Sequence, residues 1–394
     1  MKWTNKGNEH YIYEECINNL KNGAGIYLYG AGRIGKQVGK ILDRYNLLSG
    51  FIDNNSNNEN LFGQKIVSSA EFFKNTRKYI IFITVTKADF IKEIENDLNS
   101  KGLKKHKDYF LYDEYMEKVL PEIILSLRDK TFGNFIQMCL TERCTLKCKN
   151  CAHACYAVDI NKKDSKDLTL EQAKNSVDWL FNKFDYVSKV VLLGGEPLLY
   201  NKLSDVIDYI GSNYIDRLGE IIITTNGTII PKEEILNACK KYNVYFDISN
   251  YSYTIKNLKN NYIKLCHVLE ENNIRYLLGD SEREWYDYGF QYVNHQNNEE
   301  KLIHVFDRCG TICHEIRENR LYYCVMARSV SENLNFGVGH EDYLDLRQLN
   351  DENWKKILVE FISGYSEKGY LDMCNFCNGG DCIKYKIPVA EQLN

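Results

Sequence analysis

Short apolar runs alternate with amphipathic segments in the first part of the chain. The runs at 26–29 and 48–53 ("LSGFID") are typical of strands, and 79–85 ("YIIFITV") is apolar throughout, as expected of a strand buried on both faces. Between the first two runs the apolar residues recur at helical spacing. Strand and helix therefore alternate, which predicts a small doubly wound α/β sheet over residues 1–120.

The second part of the chain, 132–305, repeats the same alternation over a longer stretch. A helix is predicted over 170–184, because its apolar residues share one face and Thr169 with Gln172 forms a capping-box pattern. The predicted strands are 136–140, 190–193, 221–225, 244–248 and 274–278. Repeated strand–helix units predict a parallel barrel or part of one, with chemistry at the carboxyl ends of the strands.

The third part, 306–394, has weak periodicity and holds six of the 14 cysteines. It is predicted to be a small domain that a metal stabilises in place of a large apolar core.

Composition narrows the possible partners. The 394 residues carry a formal net charge of −4, which does not favour nucleic acid as a partner. We expect no membrane partner, since neither an apolar targeting segment nor a long apolar run is present. Without a secretion signal, the cysteines indicate metal binding or redox chemistry in the cytoplasm, where disulfides are rare.

One cysteine cluster has an unusual spacing. In "TERCTLKCKNCAHAC" (141–155), Cys144, Cys148 and Cys151 are spaced C-x3-C-x2-C. Thiolates favour soft metals, and three of them leave one iron of a 4Fe–4S cluster without a protein ligand. The alternative is a four-coordinate zinc knuckle. Its fourth ligand would be Cys139, His153 or Cys155.

Polar turns follow two further predicted strands. The first turn is Gly194-Gly195-Glu196-Pro197, in which glycines allow close approach of the backbone to a ligand and Glu196 is suited to an ammonium group. The second contains Thr225 and Asn226, whose side chains are suited to a ribose or a carboxylate.

These motifs, at successive strand ends and in this order, resemble those of the radical S-adenosylmethionine (radical SAM) enzymes. The resemblance implies a partial (β/α)6 TIM-type barrel and a 4Fe–4S cluster on Cys144, Cys148 and Cys151. It also implies that SAM is cleaved to a 5′-deoxyadenosyl radical, with a flavodoxin- or ferredoxin-type electron donor. The implied SAM contacts are Gly194, Gly195, Glu196, Pro197, Thr225, Asn226, Ser249 and Asn250.

The cysteines of the third part, following such a barrel, resemble an auxiliary-cluster domain of the twitch/SPASM type. The resemblance implies one auxiliary 4Fe–4S cluster, and structural zinc is the alternative. The favoured ligands are Cys313, Cys324, Cys374 and Cys377, with Cys309 as an alternative and Cys382 as the last candidate. The remaining cysteines, Cys16, Cys139, Cys155, Cys239 and Cys266, are interpreted as packed thiols, with a role as hydrogen donors as the alternative for Cys139 and Cys155, which flank the cluster.

The N-terminal part carries a dinucleotide-binding fingerprint. Gly30, Gly32 and Gly35 match G-x-G-x-x-G between a strand and a helix, and Asp53 ends the next strand. The segment resembles small Rossmann-like domains of polysaccharide-biosynthesis proteins. Either it binds a nucleotide or nucleotide-sugar, or it is a docking domain without a ligand.

These observations favour an oxidation or epimerisation of a sugar, nucleotide-sugar or similar polar small molecule. One alternative is modification of a ribosomally made peptide. A further alternative is a non-catalytic zinc-binding scaffold.

Overall fold

The computed structural model describes residues 13–56, 59–161, 167–290, 294–310 and 313–393. The chain divides into two compact units, one over 7–132 and one that begins at Gly133. Residues 1–12 of the first predicted domain lie outside the described residues. None of the described helices is both long and apolar enough to cross a membrane.

The first unit is built on a six-stranded sheet. Its elements are α1 (Glu14–Lys21), β1 (Gly25–Tyr29), α2 (Arg33–Arg44), β2 (Leu48–Ile52), β3 (Asn60–Leu61), β4 (Gln64–Val67), α3 (Ser69–Asn75), β5 (Tyr79–Ile83), α4 (Ala88–Ser100), β6 (Tyr109–Phe110), α5 (Tyr112–Glu114) and α6 (Leu120–Arg128). The strand order is β3-β4-β2-β1-β5-β6, and the pairs from β4 to β6 are parallel. The predicted α/β sheet is confirmed, because β1, β2 and β5 are the three apolar runs.

The second unit contains an eight-stranded sheet. Its first elements are β7 (Phe132–Thr141), α7 (Leu170–Lys183), β8 (Tyr186–Gly194), α8 (Leu203–Tyr214), β9 (Leu218–Thr225), α9 (Glu233–Lys241), β10 (Tyr245–Ile248), α10 (Leu258–Glu271), β11 (Tyr276–Leu278) and β12 (Trp285–Tyr286). Strands β7 to β11 are the five predicted strands, and β8, β9, β10 and β11 pair in parallel. The partial TIM-type α/β fold is confirmed.

The rest of the chain packs in this same unit. Its elements are α11 (Glu299–Arg308), β13 (His314–Arg317), β14 (Arg320–Tyr322), α12 (Val325–Asn333), β15 (Tyr343–Asp345), α13 (Trp354–Ile362) and β16 (Lys386–Ile387). The sheet order is β11-β10-β9-β8-β7-β13-β14-β15, with β13 parallel to β7. The third part of the sequence therefore extends the barrel sheet, and a domain boundary at 305/306 stays a prediction.

Local sequence explains how the barrel helices start and pack. Helix α7 begins with the predicted capping box, in which the Thr169 hydroxyl accepts from the Gln172 amide and the Gln172 side chain accepts from the Thr169 amide. Val177, Leu180 and Phe181 then bury against the sheet. Burial of each such side chain contributes roughly 1.5–3 kcal/mol. This packing fixes the strand ends at which the polar turns lie.

Candidate functional site

The three closely spaced cysteines lie on one loop that follows β7. Cys148 is buried, while Cys144 and Cys151 are partly exposed. None of the 14 cysteines, all of which are in described residues, forms a disulfide. The Cys151 sulfur is close enough to raise the pKa of both Cys144 and Cys148 by charge repulsion. The loop thus gathers three free thiols.

Each of these thiols accepts hydrogen bonds. The Cys144 sulfur accepts from the Leu146 amide at 3.4 Å and from Asn226 Nδ2 at 3.5 Å. The Cys148 sulfur accepts from Gln392 Nε2 at 3.2 Å. Such donors stabilise a thiolate, which is the form that binds a metal.

The protonation of these thiols depends on what is bound. Burial raises the pKa of Cys144 and of Cys148 to about 12. A hydrogen bond from the Cys155 thiol lowers the pKa of Cys151 to about 7, against the opposing effect of burial. A bound metal would deprotonate all three thiols. Three clustered thiols with donors aimed at sulfur fit an iron–sulfur cluster.

The Gly-Gly-Glu turn after β8 packs directly on this loop. The amides of Gly195 and Glu196 donate to the carbonyls of Thr141 and Arg143, both at 2.8 Å. A Cβ on Gly194 would lie 2.1 Å from the Thr141 oxygen, and one on Gly195 would lie 2.2 Å from the Arg143 oxygen. The close approach that these glycines permit is therefore between two parts of the chain. Their contact with SAM stays a prediction.

Glu196 links the ends of β8 and β9. Its fully buried carboxylate accepts from Thr225 Oγ1 at 2.8 Å, from the Asn226 amide at 2.9 Å and from the Leu198 amide at 3.1 Å. Burial raises the pKa of Glu196 to about 7, although these hydrogen bonds favour the ionised form. Pro197 opens a short 3-10 turn after this residue. The predicted contact of Glu196 with an ammonium group stays a prediction.

The predicted residues at the ends of β9 and β10 also lie together. The Ser249 amide donates to the Thr225 carbonyl at 2.9 Å, and the buried Tyr262 hydroxyl hydrogen-bonds the carbonyls of Asn226 and Ser249. Asn250 accepts from the amide and hydroxyl of Ser252. The structure thus brings the predicted turns together at one edge of the sheet.

A buried ion network, which sequence reasoning missed, joins this edge to the third part of the chain. Arg328 of α12 is 0% exposed. Its guanidinium donates to Glu142 at 2.6 Å, to Glu315 at 2.6 Å and to Glu332 at 3.0 Å. Burial opposes ionisation of Glu142, but Arg328 and neighbouring cations outweigh it and hold the pKa of Glu142 at about 2. For Glu315 burial prevails and raises the pKa to about 7.

This network also holds the cysteine loop. Asn333 Nδ2 donates to Glu142 at 3.0 Å and to the His153 carbonyl at 2.8 Å. Cys139, Glu142 and His153 offer ligand atoms within 4.8 Å of one another. Glu142 is nevertheless already paired with the Arg328 guanidinium, which disfavours a cation there. This group of residues is an ion-paired network.

The cysteines of the third part converge at a second place. One cavity is lined by Cys309, Cys324, Cys374 and Cys377 together with apolar side chains. Cys324 caps the N-terminus of α12, where the helix dipole favours negative charge. Cys313 pairs with Cys324 through the backbone, and Cys382 lies near enough to Cys309 for charge repulsion. Which of the six would bind a metal stays a prediction.

The glycine-rich turn of the first unit borders a cavity of about 780 Å³. Asp53 closes the turn by accepting from the Ala31 amide at 2.8 Å. Gly35 allows α2 to pack closely, since a Cβ there would lie 2.0 Å from the Gly30 oxygen, whereas Gly32 has open space around it. The cavity lining combines Tyr29, Val85, Phe90 and Ile94 with Asp53, Asn54, Glu93 and Asp97.

Part of the barrel matches a known family. Residues 138–272 match the sequence model of the family described as the radical SAM superfamily. Uncharacterized protein MJ0907 of Methanocaldococcus jannaschii is 38% identical over 111 residues, which are 28% of this chain and 36% of that protein. The GTP 3′,8-cyclase of Alkaliphilus oremlandii is 35% identical over 121 residues, 30% of this chain and 36% of that protein. The chain therefore spans about a third of the length of these curated relatives.

Two solved structures are similar at low identity. BtrN in complex with AdoMet and 2-DOIA has a TM-score of 0.40 and 16% identity, covering 67% of this chain and 98% of that one. The anSMEcpe structure with AdoMet and the Cp18Cys peptide has a TM-score of 0.40 and 13% identity, covering 67% and 93%. The family match over 138–272 shows a radical SAM domain, which implies a 4Fe–4S cluster and SAM as cofactors.

Proposed function

We propose that this chain, which carries a radical SAM domain over residues 138–272, is an enzyme that uses SAM to abstract hydrogen from a polar small molecule. The observation that carries the proposal is the packing of the three-cysteine loop against the turn after β8. A Cβ on Gly195 would lie 2.8 Å from Cys144 Cβ, so the cluster ligands and the predicted SAM-binding turn are immediate neighbours.

The residues have distinct roles in this proposal. Cys144, Cys148 and Cys151 would hold the cluster and leave one iron open. When bound, the cluster and SAM supply a 5′-deoxyadenosyl radical. Glu196 fixes the ends of β8 and β9 relative to each other through its hydrogen bonds to Thr225 and Asn226. Asn226 also donates to the Cys144 sulfur and so ties the β9 end to the cluster loop.

The buried network supports a polar substrate. Among the described residues, Arg328 Nη2 and Glu315 Oε2 are buried and have no hydrogen-bond partner, while Arg317 Nη1 has only an ion pair with Glu142 at 3.9 Å. Buried polar groups are normally satisfied, so these atoms suggest recognition of an additional polar group. Hydroxyl and carboxylate groups of a sugar-like molecule match such donors and acceptors. Oxidation or epimerisation at a hydroxyl-bearing carbon is the proposed reaction class.

An auxiliary 4Fe–4S cluster is proposed for the third part of the chain. It is supported by the four thiols of Cys309, Cys324, Cys374 and Cys377 along one cavity. Cys309 is thus a candidate ligand beside the favoured Cys313, which packs in the same cluster as Cys324 and Cys377, and zinc at these thiols remains the competing assignment.

The first unit is proposed to bind a nucleotide or nucleotide-sugar. The support is the cavity beside the glycine-rich turn, with Asp53 at the end of β2. Lys101 of the lining is paired with Asp97, which leaves Asp53 and Glu93 as acidic groups that suit ribose or sugar hydroxyls better than phosphates. A docking role without a ligand is the competing interpretation.

The central experiment is SAM cleavage by the anaerobically reconstituted chain with a reductant. We expect 5′-deoxyadenosine from the wild type and at least a hundredfold less from Cys148→Ala, since this variant loses a cluster ligand. We also expect Cys148→Ala to keep roughly half of the iron, held by the auxiliary cluster. Cys266→Ala is the matched control, because Cys266 lies on α10 and interacts with Tyr276 and Glu270, not with another cysteine.

Two results would contradict the proposal. A colourless, zinc-loaded wild-type protein would favour the zinc scaffold. Retained cleavage in Cys148→Ala would refute the ligand assignment. Deuterium transfer into 5′-deoxyadenosine from deuterated sugars, but not from a deuterated peptide, would distinguish the two substrate classes.

A further inference from the structure

The segment 386–393, which begins with β16, returns to the cysteine loop. The Lys149 amide donates to the Glu391 carbonyl at 2.7 Å, and the Leu393 amide donates to the Lys147 carbonyl at 2.8 Å. Cys148 and Gln392 face each other in the resulting antiparallel bridge. The backbone of segment 386–393 therefore fixes Gln392 opposite a proposed cluster ligand.

The side chain of Gln392 has a defined orientation. Its Oε1 accepts from the Lys147 amide at 2.9 Å, while its Nε2 donates to the Ala390 carbonyl at 2.7 Å and to the Cys148 sulfur at 3.2 Å. If the side-chain oxygen and nitrogen of Gln392 were exchanged, two hydrogen-bond donors would face each other at the Lys147 amide. Two acceptors would then face each other at the Ala390 carbonyl. The hydrogen-bonding pattern thus requires that an N–H group points at the sulfur.

The surroundings of this contact are apolar. Val389 and Ala390 are buried against Cys148, and Leu146 and Trp285 pack on the same cluster. A hydrogen bond is electrostatically stronger in such surroundings than in water. The amide of Gln392 is therefore placed to act on the electronic state of the Cys148 sulfur.

We propose that Gln392 is a positioning residue that raises the reduction potential of the SAM-binding cluster. The inference rests on the proposed function, because it assumes that Cys148 ligates this cluster. Reduction adds negative charge to the cluster and its sulfurs, so an N–H donor at sulfur stabilises the reduced form more than the oxidised form. Gln392 thereby makes it easier for the external donor to reduce the cluster.

The test is a redox titration of the reconstituted protein, followed by electron paramagnetic resonance. The signal to follow is the one that SAM shifts, which separates the SAM-binding cluster from an auxiliary cluster. In Gln392→Met, which keeps side-chain length but has no N–H, we expect the equilibrium constant for one-electron reduction to fall about tenfold. This change corresponds to a midpoint potential that is ~59 mV lower.

Glu391→Gln is the matched control. It removes an exposed 3.8 Å contact between Glu391 and Lys149 on the same segment, without touching a sulfur. We expect its midpoint potential to equal that of the wild type.

A second measurement uses wild-type protein carrying ¹⁵N in its glutamine side chains, in which the reduced cluster is expected to show a ¹⁵N hyperfine coupling.

The outcomes separate this inference from the proposed function. A wild type that assembles no SAM-responsive cluster would overturn the proposed function and this inference together. A cluster with an unchanged potential in Gln392→Met would overturn this inference alone. A folded Gln392→Met that takes up no iron at Cys144, Cys148 and Cys151 would overturn it too, because Gln392 would then be needed for assembly. If Gln392→Met does not fold, absence of the ¹⁵N coupling in the wild type is the refuting result.

Discussion

Single residues at this site serve the chain itself as well as any ligand. The sequence pattern predicts that Gly194 and Gly195 admit a ligand, whereas their closest neighbours are the carbonyl oxygens of Thr141 and Arg143. Glu196 likewise uses its carboxylate to join β8 to β9. These residues therefore set the distance between the cysteine loop and the strand ends, which is the geometry that any bound cofactor would need.

Gly195→Ala tests this close packing. The added Cβ would lie 2.2 Å from the Arg143 oxygen and 2.8 Å from Cys144 Cβ, so the backbone next to the first cluster ligand must move. We expect at least a fivefold loss of iron at the SAM-binding cluster, measured by iron analysis after anaerobic reconstitution. Gly32→Ala is the control, since a Cβ there has no neighbour within 4 Å. Normal iron uptake by Gly195→Ala would show that the loop tolerates the shift.

At the scale of elements, apolar periodicity predicts strands well and buried polar contacts poorly. The runs that became β7 to β11 are visible because each contains several apolar residues that recur at the spacing of the βα units. Strands β13 to β15 were not predicted, since "HEIR" and "RLY" are short and polar. Contacts between distant residues leave no signal either. Arg328 of α12 binds Glu142, which lies 186 residues earlier, and Gln392 near the end of the chain contacts Cys148, which lies 244 residues earlier.

The Arg328 network predicts a pH-dependent stability. Burial raises the pKa of Glu315 to about 7, compared with ~4.3 for a free glutamate. The folded state thus binds this proton more tightly, so the group's contribution to the free energy of unfolding is complete below about pH 4.3 and is lost as the pH rises through 7. Glu315→Gln removes this dependence. Relative to the wild type, we expect the variant to gain about 1–3 kcal/mol between about pH 5 and pH 8.

Urea titrations at several pH values check this expectation. The matched variant is Glu332→Gln, which also contacts Arg328 but whose side chain is 33% exposed. The stability of Glu332→Gln relative to the wild type is expected to change little over the same pH range, because solvent screens the ion pair between Glu332 and Arg328. If the stability of both variants relative to the wild type changed equally with pH, the assignment of the bound proton to Glu315 would be refuted.

At the scale of the whole molecule, local motifs can be predicted from sequence, whereas pairings between distant segments cannot. The three-cysteine loop and the polar strand ends were predicted from sequence because each motif is local. The extension of the barrel sheet by residues after 305 was not, because β13 pairs with a strand about 180 residues earlier. The first unit is a separate compact body, so its cavity is expected to bind a ligand independently of the barrel chemistry.

Substitution of Asp53 tests this cavity in the full chain. Calorimetric titration with nucleotides, nucleotide-sugars and their parent nucleosides is the measurement. We expect binding by the wild type and about tenfold weaker binding by Asp53→Asn, which keeps a side-chain acceptor for the Ala31 amide but loses the negative charge that strengthens hydrogen bonds from sugar hydroxyls. Glu71→Gln, on the exposed face of α3, is the control and should bind as the wild type does. If the wild type binds no member of the panel, the nucleotide-binding proposal is wrong, and the first unit is better explained as a docking domain without a ligand.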